Sequence, residues 1–122
     1  MLGKSKGAAH TLIDANARVV GDVHFTGGMH VQGRVEGNLH AGPDGGDLVI
    51  GEGGLIVGEI HAPRVTISGE VRGDIHADEK VKLEGKAVVT GNVYYRLLEI
   101  VVGARIDGVL RHRGGESADG PA

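Results

Sequence analysis

Cysteine and tryptophan are absent from this 122-residue sequence, and only three aromatic residues occur, Phe25, Tyr94 and Tyr95. Without thiols there is no disulfide, no thiolate nucleophile and no Cys-based zinc site, so nothing asks for an oxidising compartment and a cytoplasmic location is expected. Three aromatics are too few to stack a run of bases. With 13 Lys and Arg against 16 Asp and Glu, the net charge is -3 and the signs are mixed, so there is no basic footprint and no nucleic-acid partner is expected. No apolar run approaches the roughly 20 residues that cross a bilayer, and the N-terminus lacks the apolar core of a signal peptide.

Catalytic signatures are equally scarce. Serine occurs only at Ser5, Ser68 and Ser117, which leaves a serine triad little to work with. No G-x-x-x-x-G-K-[ST] phosphate loop is present, and Gly51-Glu52-Gly53-Gly54 reads as a corner of the backbone, so no nucleotide and no cofactor are expected. The carboxylates fall mostly on outward strand positions, where a solvated face explains them better than acid-base chemistry. The expectation is a protein that is not an enzyme, with no catalytic residue.

What the sequence has in excess is glycine, at 23 residues, about three times the usual share of roughly 7%. Each glycine inside a helix costs about 1 kcal/mol relative to alanine, so a mostly helical protein is excluded. Collagen is excluded because the glycines do not recur every third residue. Disorder fits poorly with 16 Val, 8 Ile and 9 Leu, enough to build a core.

The glycines mark a repeat: Gly, an acidic or amide residue, an aliphatic, then His or Tyr. It reads Gly21-Asp22-Val23-His24, Gly37-Asn38-Leu39-His40, Gly58-Glu59-Ile60-His61, Gly73-Asp74-Ile75-His76 and Gly91-Asn92-Val93-Tyr94, with a degenerate copy at Gly108-Val109-Leu110-Arg111. The copies are 16, 21, 15, 18 and 17 residues apart. A small residue precedes each repeat glycine by four positions, at Ala17, Gly33, Gly54, Gly69, Ala87 and Ala104. Between Val65 and Ala77 aliphatic or small residues alternate with polar ones, the pattern of strands with one buried face. A unit of this length is too short for a propeller blade and leaves no room for a leucine-rich-repeat helix.

Stacked coils of a parallel β-solenoid satisfy these constraints. The fold class is therefore all-β, a parallel β-helix of about six coils with short disordered tails. The coils are expected at residues 12–27, 28–46, 47–62, 63–78, 79–96 and 97–112, with a loop bulging at residues 41–46 to account for the long step. The domain limits follow: a flexible tail over 1–11, the β-helix over 12–112, and a second flexible tail over 113–122. At about 4.8 Å per coil the rod is roughly 29 Å long.

A solenoid needs polar caps on its outermost coils, and neither tail is long enough for a capping helix. Open edges with apolar side chains invite another copy, and a subunit with two such ends propagates into a filament. The residues expected at the polymerisation interface are Leu12, Ile13 and Val19 at one end, and Leu97, Leu98, Ile100, Val102, Ile106 and Leu110 at the other. The principal partner is therefore the chain itself.

Several segments resemble the bactofilins. They are Thr11-Leu12-Ile13 leading to Gly21-Asp22-Val23, the central Val31-Gln32-Gly33-Arg34-Val35-Glu36-Gly37-Asn38, and Leu98-Glu99-Ile100 followed by Gly103-Ala104-Arg105-Ile106-Asp107-Gly108. The likeness spans residues 11–111. It implies a right-handed parallel β-helix that polymerises without nucleotide into bacterial cytoskeletal filaments, often attached to the membrane, which scaffold cell-envelope or cell-shape machinery. Members of the family often carry Phe in the last coil at a position important for assembly, and Ile106 stands there in this chain. The handedness comes from the resemblance alone.

The N-terminus, with Met1, Leu2, Lys4 and Lys6, is similar to the short membrane-targeting tails of some bactofilins. On that resemblance the inner face of the cytoplasmic membrane is an expected partner. His24, His40, His61 and His76 occupy one outward column continued by Tyr94 and Arg111. Such a column could hold zinc or nickel between two coils, but with no His triad evident the expectation is a solvated ladder and no metal. The rival reading is a left-handed β-helix enzyme, a hexapeptide-type acyltransferase or γ-class carbonic anhydrase-like protein. Steps that vary from 15 to 21 residues and a loop without histidine argue against it.

Overall fold

A computed structural model describes residues 10–42 and 46–112. Every strand pairing in it is parallel, and the strands build three faces. The first face stacks β1 (His10–Ile13), β4 (Gly28–Val31), β7 (Asp47–Ile50), the second half of β9 (Ile60–Ile67), the second half of β11 (Ile75–Leu83) and β14 (Leu97–Ile100). The second stacks β2 (Arg18–Val20), β5 (Arg34–Glu36), β8 (Leu55–Val57), β10 (Glu70–Arg72), β12 (Val88–Thr90) and β15 (Arg105–Asp107). The third stacks β3 (Val23–Phe25), β6 (Leu39–Ala41), the first halves of β9 and β11, β13 (Val93–Tyr95) and β16 (Leu110–His112). Each face has six rungs, so the described residues make six coils.

New coils begin at His10, Gly28, Asp47, Arg64, Lys80 and Leu97, within two residues of each expected start. The first strand begins two residues ahead of residue 12, so His10 and Thr11 belong to a strand. Of the loop expected at residues 41–46, residues 43–45 lie outside the described residues.

Alternation fixes which side chains fill the interior. Registered positions stack as columns: Met29, Leu48, Val65 and Val81 on the first face, with Ile13, Val31, Ile50, Ile67 and Leu83 beside them. Val35, Ile56, Val71 and Val89 line the second face, and Leu39, Ile60, Ile75 and Val93 the third. All are buried, and no polar or charged residue is buried among the described residues. A second inward column on the third face runs Phe25, Ala41, Ala62 and Ala77; the alanines narrow the interior there, and Phe25 seals its end at 5% exposure. Truncating a fully buried Leu or Ile to Ala in such a core costs about 2–5 kcal/mol.

The repeat glycine has a steric origin. Gly21, Gly37, Gly58, Gly73 and Gly91 all have positive φ. A Cβ on Gly37, Gly58, Gly73, Gly91 or Gly108 would drive into the carbonyl oxygen of the repeat glycine one coil earlier. Two coils therefore approach backbone to backbone at this corner, which only a residue without a side chain permits.

The acidic or amide residue that follows is a coil-to-coil clamp. The backbone N–H of Asn38 donates to Asp22 Oδ1 (3.0 Å), that of Glu59 to Asn38 Oδ1 (2.9 Å), that of Asn92 to Asp74 Oδ1 (3.0 Å) and that of Val109 to Asn92 Oδ1 (3.3 Å). Ion pairs tie the outer surface together. Arg18 and Arg34 both bind Glu36, Lys80 binds Glu99, and Arg64 bridges Asp47 and Glu79.

Candidate polymerisation ends

The stacking that satisfies the inner coils leaves the outer two half-paired. Among the described residues β1, β2 and β3 ladder only with the coil above them, and β14, β15 and β16 only with the coil below. Each end is thus a three-sided rim of open strand edges around the last layer of core side chains, and both kinds of surface favour addition of another layer.

At the first coil that layer comprises Ile13, Val19, Val23 and Phe25. Ile13 and Phe25 are buried, and Val19 and Val23 are half-buried against the core. At the last coil it comprises Leu98, Ile100, Ile106 and Leu110. Leu98 and Ile106 are half-buried against the core, whereas Ile100 and Leu110 are 48% and 39% exposed. The two ends are therefore unequal: apolar exposure is concentrated at the C-terminal coil, where Val101 and Val109 add to it.

The corner before β15 carries the most exposed apolar side chain. A tight turn, with the fourth residue's N–H donating to the first residue's carbonyl, recurs at Asp14–Ala17, Gly51–Gly54, Glu84–Ala87 and Val101–Ala104. The first three hold Asn16, Glu52 and Lys86 at their tips, as a solvated corner should. The fourth holds Val102, which is 96% exposed.

Not every residue expected at the interface belongs to the end layer. Leu12 registers with His30 and, through it, with Val49, while Leu97 registers with Lys80; both columns point outward. Their side chains, 61% and 64% exposed, lie on the flank of the terminal coils. Val23 and Phe25, which belong to the end layer, were missed by sequence reasoning. They occupy positions 3 and 5 of the repeat strand, so carrying the alternation through β3 would have found them. Met1, Leu2, Lys4 and Lys6 lie outside the described residues.

The histidine column is built as expected. His24 stacks on His40 with ring centroids 4.8 Å apart, His40 on His61 at 5.1 Å, His61 on His76 at 4.5 Å, and His76 on Tyr94 at 4.5 Å, with interplanar angles of 14° or less.

Among the described residues the fold is an all-parallel β-solenoid of six coils, a class in which each coil packs only against its neighbours. The family model for the bactofilins, described as polymer-forming cytoskeletal proteins, matches residues 11–111. The chain belongs to the bactofilin family. It is similar to the solid-state NMR structure of the cytoskeletal bactofilin BacA, with a TM-score of 0.76 and 27% identity, covering 88% of this chain and 99% of that one. No match to the chain was found among curated proteins. The family is one of structural polymers and not of enzymes. No helix among the described residues is long and apolar enough to cross a membrane.

Proposed function

We propose that this bactofilin assembles end to end, through its terminal coils and without nucleotide, into cytoplasmic filaments that scaffold cell-envelope or cell-shape machinery at the bacterial membrane. The observation that carries this reading is the contrast between the flanks and the C-terminal end. The flanks carry ion pairs coil after coil, while the end layer of the last coil exposes Ile100 and Leu110, and the turn between β14 and β15 exposes Val102. A cluster of that kind marks a contact surface. Among the described residues six strand edges are unpaired on one side and would add directional hydrogen bonds, so a neighbour would be held in register as well as buried. The absence of any phosphate-loop motif in the sequence supports assembly without nucleotide. Membrane attachment rests on the basic, apolar-tipped N-terminus, whose weak single-copy affinity a filament would multiply.

Negative-stain electron microscopy of the purified full chain, with no nucleotide, tests this beside Ile106→Asp. Filaments are expected from the parent and short or single particles from the variant, which puts a charge into the end layer. Val57→Asp, on an outward flank position of β8, should polymerise like the parent. Uniform small particles from the parent, or equal loss in both variants, would overturn the end-to-end reading.

A further inference from the structure

The column of acidic and amide residues has one member that breaks its rule. Asp22, Asn38, Asp74 and Asn92 each turn a side-chain oxygen to the backbone N–H one coil on. Glu59 is a methylene longer, and its carboxylate goes instead to the imidazole two residues on, with Glu59 Oε1 3.1 Å from His61 Nε2. His61 registers directly with His76 across parallel strands β9 and β11, and their rings stack at 4.5 Å and 2°. One donor atom from each of Glu59, His61 and His76 lies within 4.8 Å of the other two. At the neighbouring rung, His40 is flanked by Asn38, an amide whose oxygen is already occupied.

We propose that Glu59, His61 and His76 form a binding site for a divalent cation of borderline softness, Zn²⁺ or Ni²⁺, which clamps the third coil to the fourth. Two imidazoles and one carboxylate are the donor set that such ions select over Mg²⁺ and Ca²⁺, which prefer all-oxygen shells. Tetrahedral coordination at about 2.0–2.2 Å places donors roughly 3.4 Å apart. Glu59 Oε1 and His61 Nε2, 3.1 Å apart, lie within a few tenths of an ångström of that separation. The half-exposed His76 closes the remaining gap by turning its ring toward Glu59 and His61, exchanging its contacts in the ion-free chain for the metal bond. The backbone under His61 and His76 is held by the ladder, so the rearrangement on binding is confined to side chains. Water completes the shell from the solvent side, and the ion's role is structural.

Cobalt serves as the spectroscopic probe. Titrating Co²⁺ into the full chain at neutral pH should develop the intense visible bands of tetrahedral cobalt, saturating at one ion per chain and abolished by Zn²⁺. His76→Ala and Glu59→Asp should each weaken binding at least tenfold. Glu59→Asp is the informative variant, because aspartate is native to the same repeat position at Asp22 and Asp74 and keeps the fold while withdrawing the carboxylate from His61. His24→Ala, two rungs away, should bind as the parent does. A spectrum that stays octahedral and weak, or an equal loss in His24→Ala and Glu59→Asp, would overturn the site, the second outcome showing diffuse binding along the column.

Discussion

The carbonyl oxygen of Gly58 occupies the space that a β-carbon on Gly73 would need, and the same relationship links every successive pair of repeat glycines from Gly21 to Gly108. Backbone, not a movable side chain, is the obstacle, so relief would require two coils to separate. Gly73→Ala should therefore destabilise the fold by about 2–4 kcal/mol, combining the strain of positive φ with the steric clash. Gly53 also has positive φ, but a β-carbon there meets nothing within 4 Å. Gly53→Ala should cost only the conformational part, about 1 kcal/mol. Urea unfolding of both variants checks the contrast, and equal losses would refute the steric account.

Asn38 is acceptor and donor at once in the clamp column, its backbone N–H held by Asp22 and its Oδ1 holding the N–H of Glu59. Asn38→Ala removes the second bond and leaves that N–H dependent on water. A loss of about 1–2 kcal/mol is expected. Asn38→Asp, which restores an acceptor already used at Asp22 and Asp74, should recover most of it. Failure of the aspartate to recover stability in thermal melts would mean that the column is ornamental.

The six coils were legible because two periodicities coincide in this sequence. Alternation through Val65–Ala77 marks the buried face, and the glycine spacing marks the corner where coils touch. The column of His24, His40, His61 and His76 followed from register alone. What could not be read was anything set by direction at the rim. Leu12 and Leu97 are apolar and terminal, yet register with outward columns, because β1 and β14 each begin a coil on a strand whose inward positions are its second and fourth residues. The acidic or amide residue of the repeat was visible as a pattern, but its role is a hydrogen bond to the next coil, and only three dimensions bring those atoms together. Glu59 satisfies the acidic-or-amide pattern of the repeat as aspartate does. One methylene sends its carboxylate to a different partner.

Acid should weaken the fold through the outer ion pairs. The Arg18 guanidinium, and after it Arg34, hydrogen-bonds Glu36 and holds its carboxyl below the ordinary value of 4.5; Lys80 does the same for Glu99. A carboxyl whose folded pKa is depressed contributes stability that is fully present above its unfolded value and is lost as pH falls through the folded one. Melting temperature should therefore fall below about pH 4.5. In Glu36→Gln, the step from pH 5 to pH 3 should be smaller than in the parent. An identical acid limb in the variant would show that Glu36 contributes nothing.

The proposed membrane attachment through Met1, Leu2, Lys4 and Lys6 can be tested so that charge is separated from polymerisation. Lys4 and Lys6 near an anionic surface contribute about 1 kcal/mol each, so replacing both with Glu should lower affinity for phosphatidylglycerol vesicles by at least 30-fold per subunit. Because so weak an anchor holds only when many copies act together, Ile106→Asp should also release the protein from vesicles while leaving the tail intact. Co-sedimentation with anionic and with neutral vesicles reads both effects, and adding salt should weaken binding in the parent because the attraction is screened. Equal pelleting with neutral vesicles would eliminate the charge argument. Retention of the Ile106→Asp variant at parental affinity would mean that a single tail suffices, and that the filament is not what holds this protein at the membrane.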